Sequence, residues 1–388
     1  MKDYNYLQQK WMANTYPNRN IVLEKGKGVY LFDQSGKKYT DCMSNYGVNI
    51  FGYGHPAVHK ALTSQLSQLV TLHGSFANKE RAIASQMVVE KCGGAYAQVY
   101  WSNSGAEAVE AALKFAVLTT GKNKFIAFSH AYHGKTLGAL SATDGDKYRK
   151  AFFPLLWDFI HIKYDDISAL EKAIDEKTAG FIIEPIQGEG GLIPPSKGYL
   201  KKIQELCKKH NILLILDEIQ SGTGRTGYFL ASHEEKVEAD IVCLGKGLAG
   251  GIPVGATIFT QTVANKIPKN IHTSTFGGNP LACAGVIATL RELDQSMLNN
   301  IRKTGTYFMT ELQKIKSPLI TEVRGKGLMI GVEVKDKRNE ILKKMQENGV
   351  LVIPAGEQVV RFLSPYIITK KQVDTVVKIF KKVITDLK

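Results

Sequence analysis

The chain has 388 residues, 44% hydrophobic and 22% charged, and its 50 Lys and Arg against 36 Asp and Glu give a formal charge of +14. That apolar share excludes a disordered chain, and 36 Gly and 12 Pro without a fixed period exclude a collagen-like or low-complexity one. The basic balance leaves open an acidic partner, substrate or surface.

Residues Met1–Tyr6 lack the apolar core of a signal peptide, and no apolar run reaches the ~20 residues of a membrane helix. A cytoplasmic protein with no membrane contact is expected. Cys42, Cys92, Cys207, Cys243 and Cys283 show no close pairing, and no histidines stand at metal-ligand spacing, so buried free thiols and no metal are expected. Residues 1–49 read as a segment that joins the C-terminal part of the fold. From about residue 98, Val99–Trp101, Lys124–Phe128, Phe159–Tyr164, Gly180–Glu184, Ile212–Asp217, Ile241–Leu244 and Ala256–Phe259 read as strands. Helical patterns such as Glu107–Leu118 and Lys197–His210 lie between them. This alternation predicts an α/β fold with a mostly parallel, seven-stranded sheet covered on both faces. Residues 50–280 form that large domain, and its ligands belong at the carboxyl ends of the strands. Further on, Val323–Val334 and Leu351–Pro354 read as strands around a charged helix. The last helix aligns Val373, Val376, Val377, Phe380, Val383, Ile384 and Leu387 at spacings of three and four, a packing stripe. Residues 281–388 are thus a smaller α+β domain.

Gly222-Thr-Gly-Arg-Thr-Gly227 fits the dinucleotide fingerprint by letter. The physics of that fingerprint needs its first glycine in the turn directly after a strand, opening a helix, and Glu218-Ile-Gln-Ser intervenes here. No phosphate-loop lysine motif occurs either. Asp217 ends one strand and Lys246 follows another, which puts both at the same sheet edge. Gly245 and Gly247 leave room for a bulky group on the Lys246 amine, and partial burial would free that amine to condense with an aldehyde. A carboxylate nearby could keep a pyridinium protonated, or the two could form an ordinary ion pair. Ser104-Gly105-Ala106-Glu107 follows a strand and opens a helix, serving equally as a capping box and as an anion cradle of backbone amides. Tyr132, past the strand Lys124–Phe128, could stack on a planar ring or simply pack. Thr275 offers donors in a glycine-rich loop that could equally be a turn.

Taken in order, Asn103-Ser-Gly-Ala-Glu-Ala-Val-Glu, Tyr132-His-Gly, Glu184-Pro-Ile-Gln-Gly-Glu-Gly-Gly191, Asp217 to Gly227, Gly245-Lys-Gly and Ser274-Thr-Phe-Gly-Gly-Asn-Pro280 resemble the class III pyridoxal-phosphate aminotransferases. Arg324-Gly-Lys-Gly-Leu-Met-Ile-Gly331 and Val360-Arg-Phe-Leu-Ser-Pro365 extend the resemblance, which runs from about Tyr16 nearly to the C-terminus. Within the class the chain is similar to the acetylornithine type, and equally to relatives that act on carrier-bound lysine or ornithine precursors.

The resemblance implies a pyridoxal-phosphate transferase of fold type I, working as a homodimer. Lys246 would hold the cofactor and move the proton. Asp217 would pair with the pyridine nitrogen, Gln220 with the ring hydroxyl, and Tyr132 would stack. Gly105 and Ala106 would bind phosphate with Thr275 of the neighbouring subunit, one hydroxyl being absent because Ala106 stands where the family more often has Thr. Arg361 would take the substrate carboxylate, Glu189 would gate it, and Tyr16 would approach the first substrate. Lys135 stands where the family usually has Arg, so a point charge replaces a planar fork. The implied reaction passes the terminal amino group of an N-acylated ornithine or lysine to 2-oxoglutarate, in arginine or lysine biosynthesis, with ornithine or 4-aminobutyrate as the alternative donor. Nucleic-acid binding is set aside for want of a recognisable module. Residues 281–388 carry 19 Lys and Arg against 11 Asp and Glu. Most of that excess belongs on solvated helix faces, while a basic rim could dock a small acidic amino-group carrier protein.

Overall fold

The computed structural model describes residues 3–387. An N-terminal meander, β1 (Leu23–Lys27), β2 (Tyr30–Asp33) and β3 (Lys38–Asp41), precedes the main body. The main body is a sheet of seven strands: β4 (Tyr96–Ser102), β5 (Lys124–Phe128), β6 (Asp158–Ile162), β7 (Thr178–Ile183), β8 (Leu213–Asp217), β9 (Ile241–Leu244) and β10 (Gly255–Thr260). Their order across the sheet is β4-β10-β9-β8-β7-β5-β6, with β10 antiparallel to both neighbours and every other pair parallel. Every residue of β5, β7, β8 and β9 is buried, as continuous apolar strands covered on two faces require. From β5 the chain passes to β6 on one side and then returns to β7 on the other. The strand order therefore reverses between β5 and β7, where a crevice opens at the carboxyl ends.

The helix Gly105–Thr120 follows β4 and packs seven apolar residues of 108–116 under the sheet. Ser104 Oγ accepts from Glu107 N, the N-cap half of a capping box, but the Glu107 carboxylate accepts from Asn103 N, one residue before the cap, in place of Ser104 N.

The smaller part differs from the sequence reading in two places. Val323–Val334 is not one strand but a hairpin of β11 (Ile320–Lys326) and β12 (Met329–Val334). The reversal falls at Gly327, whose φ of 54° a side chain would resist. Leu351–Pro354 is divided as well. β13 (Val350–Leu351) pairs in parallel with β3, and β14 (Ile353–Ala355) pairs with β15 (Val359–Phe362). The division falls at Val352, whose carbonyl accepts from Arg19 Nη2 at 2.8 Å. N-terminal and C-terminal residues thus share a sheet, and they share a core: Val29, Ile50 and Phe51 pack in one cluster with Phe308, Phe362 and Phe380. The last helix, Lys370–Asp386, contributes Val373, Val376, Phe380, Val383 and Ile384 behind a Thr369–Gln372 capping box.

The glycine-rich stretch Gly222–Gly227 turns out to be a bracket. Arg225 is 1% exposed, lies 4.7 Å over the Tyr366 ring, and donates Nη1 to the carbonyls of Leu328 (3.1 Å) and Ser364 (2.6 Å). All five cysteines are buried free thiols. No helix among the described residues is long and apolar enough to cross a membrane.

On β15, alternation sends Phe362 into the core and Arg361 to the opposite face. Phe362→Ala is expected to cost about 3–5 kcal/mol in chemical unfolding, from lost burial and the cavity left between Phe308 and Phe380.

Candidate active site

Four strand ends build the site. After β9, Gly245 leads into Lys246, which has φ 44° and begins a short 3-10 turn, Lys246–Ala249. Its side chain enters a cavity of about 320 Å³ shared with Gly105, Ala106, Tyr132, Glu189, Asp217 and Gln220. Burial pushes the Lys246 amine below the ordinary lysine range, and Asp217 and Glu184 pull it partly back. No ion pair joins Lys246 to Asp217. The Asp217 carboxylate instead takes His133 Nδ1 on Oδ2 at 2.7 Å and Ile219 N on Oδ1 at 3.0 Å.

Arg361 lies behind the cavity lining with its side chain 0% exposed, bonded to two residues that do line it, Glu189 and Gln220. Nη2 donates to Glu189 Oε2 at 2.7 Å and to Pro354 O at 2.9 Å, and Nη1 to Gln220 Oε1 at 3.1 Å. The Glu189 side chain is 29% exposed, so the pair has one buried and one accessible partner. A Cβ on Gly188 would stand 2.4 Å from Gln220 Oε1 and push aside the amide that accepts from Arg361.

Of the residues singled out in the sequence, Lys246, Asp217, Gln220, Tyr132, Gly105, Ala106 and Glu189 meet in one cavity, and Arg361 lies behind its lining, bonded to Glu189 and Gln220. Tyr132 is half-buried, and its hydroxyl is pushed up to about 12 by burial and then by Glu189 and other neighbours, Tyr16 among them. Tyr16 itself is 71% exposed and does not line the cavity. Thr275 is exposed in the loop after residue 270 and lies outside the cavity of its own chain. Lys135 lines the cavity mouth, 5.5 Å from the Tyr148 ring centre.

Two site residues were missed. His133 is fully buried and carries the contact to Asp217. Glu184, just past β7, accepts from Tyr132 N on one oxygen and Gly188 N on the other, both at 2.9 Å. Burial raises its carboxyl to about 7, with His133 opposing and Asp217 reinforcing the shift. The signal for both was present: each is a polar residue just past the carboxyl end of an all-buried strand, inside a motif already singled out.

The family model of the class-III aminotransferases matches residues 11–384. The chain belongs to this family. Acetylornithine aminotransferase of Methanopyrus kandleri is 44% identical over 335 residues, 86% of each chain. A Pyrococcus furiosus protein, provisionally named LysW-aminoadipate semialdehyde/glutamate semialdehyde transaminase, is 42% identical over 369 residues, 95% of this chain and 97% of its own. Among solved structures, ornithine aminotransferase of Toxoplasma gondii superposes with a TM-score of 0.95 at 35% identity, covering 99% of this chain and 95% of that one. A second structure of that enzyme holds pyridoxal phosphate at partial occupancy.

Class-III aminotransferases use pyridoxal phosphate, and the residues of this one fit it. A buried amine with a lowered pKa faces the cavity, and the first-turn amides of Gly105 and Ala106 open onto the same space. Asp217, a carboxylate braced by His133, is the kind of group a pyridinium needs. The glycines keep the floor open: a Cβ on Gly105 would press against Ile219 at 2.9 Å.

The Glu184 shift has a sign that can be measured. Its carboxyl binds a proton more tightly folded than unfolded, so its contribution to stability is lost as pH rises from about 4.5 to about 7. The stability advantage of the wild type over Glu184→Gln should therefore shrink across that window and level off above it, as read by thermal melting at pH 5 and 8.

Proposed function

We propose that this class-III aminotransferase passes the terminal amino group of an N-acylated ornithine or lysine to 2-oxoglutarate, giving a semialdehyde and glutamate. The observation that carries this reading is the Glu189–Arg361 pair, 2.7 Å apart, in which Glu189 lines the cavity that holds Lys246 and covers the buried Arg361 behind it. A guanidinium fork suits the carboxylate of glutamate or 2-oxoglutarate. A long donor with a neutral chain next to its amine would meet that charge unfavourably unless Glu189 covers it. Glu189, being the accessible partner, turns away to uncover Arg361 for the second substrate.

The roles follow from position. Pyridoxal phosphate, when bound, supplies the electron sink that lets a proton leave the carbon bearing the amino group. Lys246 would hold the cofactor through its amine and would carry the proton to and from the carbon bearing the amino group. Asp217 with His133 behind it would hold the ring nitrogen. Gln220 would hold the ring hydroxyl, Tyr132 would stack on the ring, and the amides of Gly105 and Ala106 would bind phosphate. Tyr16, which does not line the cavity, would approach the first substrate.

The working unit is a homodimer, in which Thr275 of a second copy completes the phosphate site that Ala106 leaves without a hydroxyl. The exposure of Thr275 and of its neighbour Phe276 (56%) supports this. Residues 1–49, 50–280 and 281–388 act as joining segment, cofactor domain and small domain. The likeness to the Pyrococcus furiosus protein favours a second reading, a donor presented on a small acidic carrier docked by the basic small domain.

Borohydride treatment of the holoenzyme should attach the cofactor to Lys246, and Lys246→Ala should lose turnover; full turnover in that variant would sink the mechanism. Initial rates on acetylornithine, ornithine, 4-aminobutyrate and a carrier-linked lysine decide the donor. Highest kcat/KM on an acylated donor is the expected result. A carrier-linked rate that neither exceeds the acetylornithine rate nor falls with added salt removes the docking reading.

A further inference from the structure

The segment that carries Glu189 has little slack in its main chain. Gln187 and Ile193 close it with two backbone hydrogen bonds of 3.0 and 2.9 Å. Gly188 N donates to Glu184 Oε2 at 2.9 Å, and Gly356 N donates to the Glu189 carbonyl at 2.7 Å. The carbonyls of Gly191 and Leu192 are taken by one side chain from the small domain. Arg324 on β11 donates Nη2 to Gly191 O at 2.7 Å, and Nε to Leu192 O at 3.0 Å and Gly191 O at 3.2 Å. Its Nη1 pairs with Glu322 at 2.6 Å and with Glu333, which keeps the guanidinium turned toward the loop.

Two ways of uncovering Arg361 can be compared. Moving the loop would break the charged hydrogen bonds of Arg324 together with the backbone bridge, and would leave the Arg324 guanidinium, 13% exposed, short of partners. Turning the Glu189 side chain breaks one contact to a carboxylate that already reaches solvent. The second path is the easier one only while the main chain stays put.

We propose that Arg324 is a positioning residue for the Glu189–Arg361 pair: it pins the main chain around Glu189, so that exchange of the two substrates is a rotation of one side chain and not a movement of the loop. This rests on the gate reading given above. Arg324 touches neither substrate nor cofactor. Its planar fork serves two carbonyls and two carboxylates at once, which a lysine ammonium cannot reproduce. Without it, Glu189 is held less well over Arg361, and the half-reaction that needs Arg361 covered suffers first.

The test uses the holoenzyme with Arg324→Met and Arg324→Lys, the latter keeping a charge beside Glu322 and Glu333. The two half-reactions are followed separately in single turnover, by the change in cofactor absorbance with amino donor alone and with 2-oxoglutarate alone. In both variants kcat/KM for the donor should fall about tenfold, as a misplaced group allows, while the 2-oxoglutarate half changes less than about twofold. In a Glu189→Gln background the further loss on changing Arg324 should vanish, the non-additivity expected of residues acting through one another. Amide exchange at Gly188, Leu192 and Ile193 should quicken by about tenfold or more with the melting temperature little changed. Equal losses in both half-reactions, losses that persist in the Glu189→Gln background, or unchanged exchange would each overturn the proposal. If Glu189→Gln by itself alters neither half-reaction, the gate reading fails instead, and the exchange measurement still reports on Arg324.

Discussion

The pairing of a buried arginine with a half-exposed glutamate organises this molecule. Arg361 comes from the small sheet with no exposed side-chain surface, and Glu189 comes from the loop after β7 of the large one. A guanidinium taken out of water is tolerable only if its donors are filled, and here Glu189, Gln220 and the Pro354 carbonyl fill two of its nitrogens. The two parts of the fold must therefore meet at a set distance. Two other arginines serve the same junction: Arg225 reaches from the large part to the Leu328 and Ser364 carbonyls, and Arg324 reaches back to Gly191 and Leu192. Arginine suits this work because one planar group answers several carbonyls and carboxylates together.

Behind that pair, the carboxyl ends of β5, β7, β8 and β9 collect His133, Glu184, Asp217 and Lys246 in a small buried volume. Asp217 is held by His133 and the Ile219 amide, whereas burial leaves Glu184, despite its two backbone donors, with a carboxyl near 7. The lysine amine is shifted in the direction that frees its lone pair. Burial thus leaves Glu184 holding its proton well above the usual carboxylate range.

Much of this was legible in the chain. The large sheet could be read because parallel strands buried on both faces leave continuous apolar runs, and the strand ends located Asp217 and Lys246 by spacing alone. The small part was harder. Val323–Val334 is apolar enough to pass for one strand, and only the turn at Gly327 divides it. Val350–Ala355 is equally uniform, yet its halves belong to different sheets, because β14 pairs with β15 just after it while β13 is drawn to β3, far back in the sequence.

The same contrast holds for the site. Sequence by itself carried the class of chemistry: a lysine between glycines, an acid at a neighbouring strand end and an amide cradle at a helix start are local patterns, each open to another reading alone, and their order along the chain is what resembles one family. Only the tertiary structure decided who pairs with whom. Asp217 turns to His133, 84 residues away, and not to Lys246. The resemblance already implied that Glu189 gates Arg361, and the structure supplies the contact, 2.7 Å across 172 residues. Tyr16 and Thr275 stay exposed on a single chain. A buried charge takes whichever partner the folded backbone brings within hydrogen-bonding distance, and no spacing along the sequence encodes that choice.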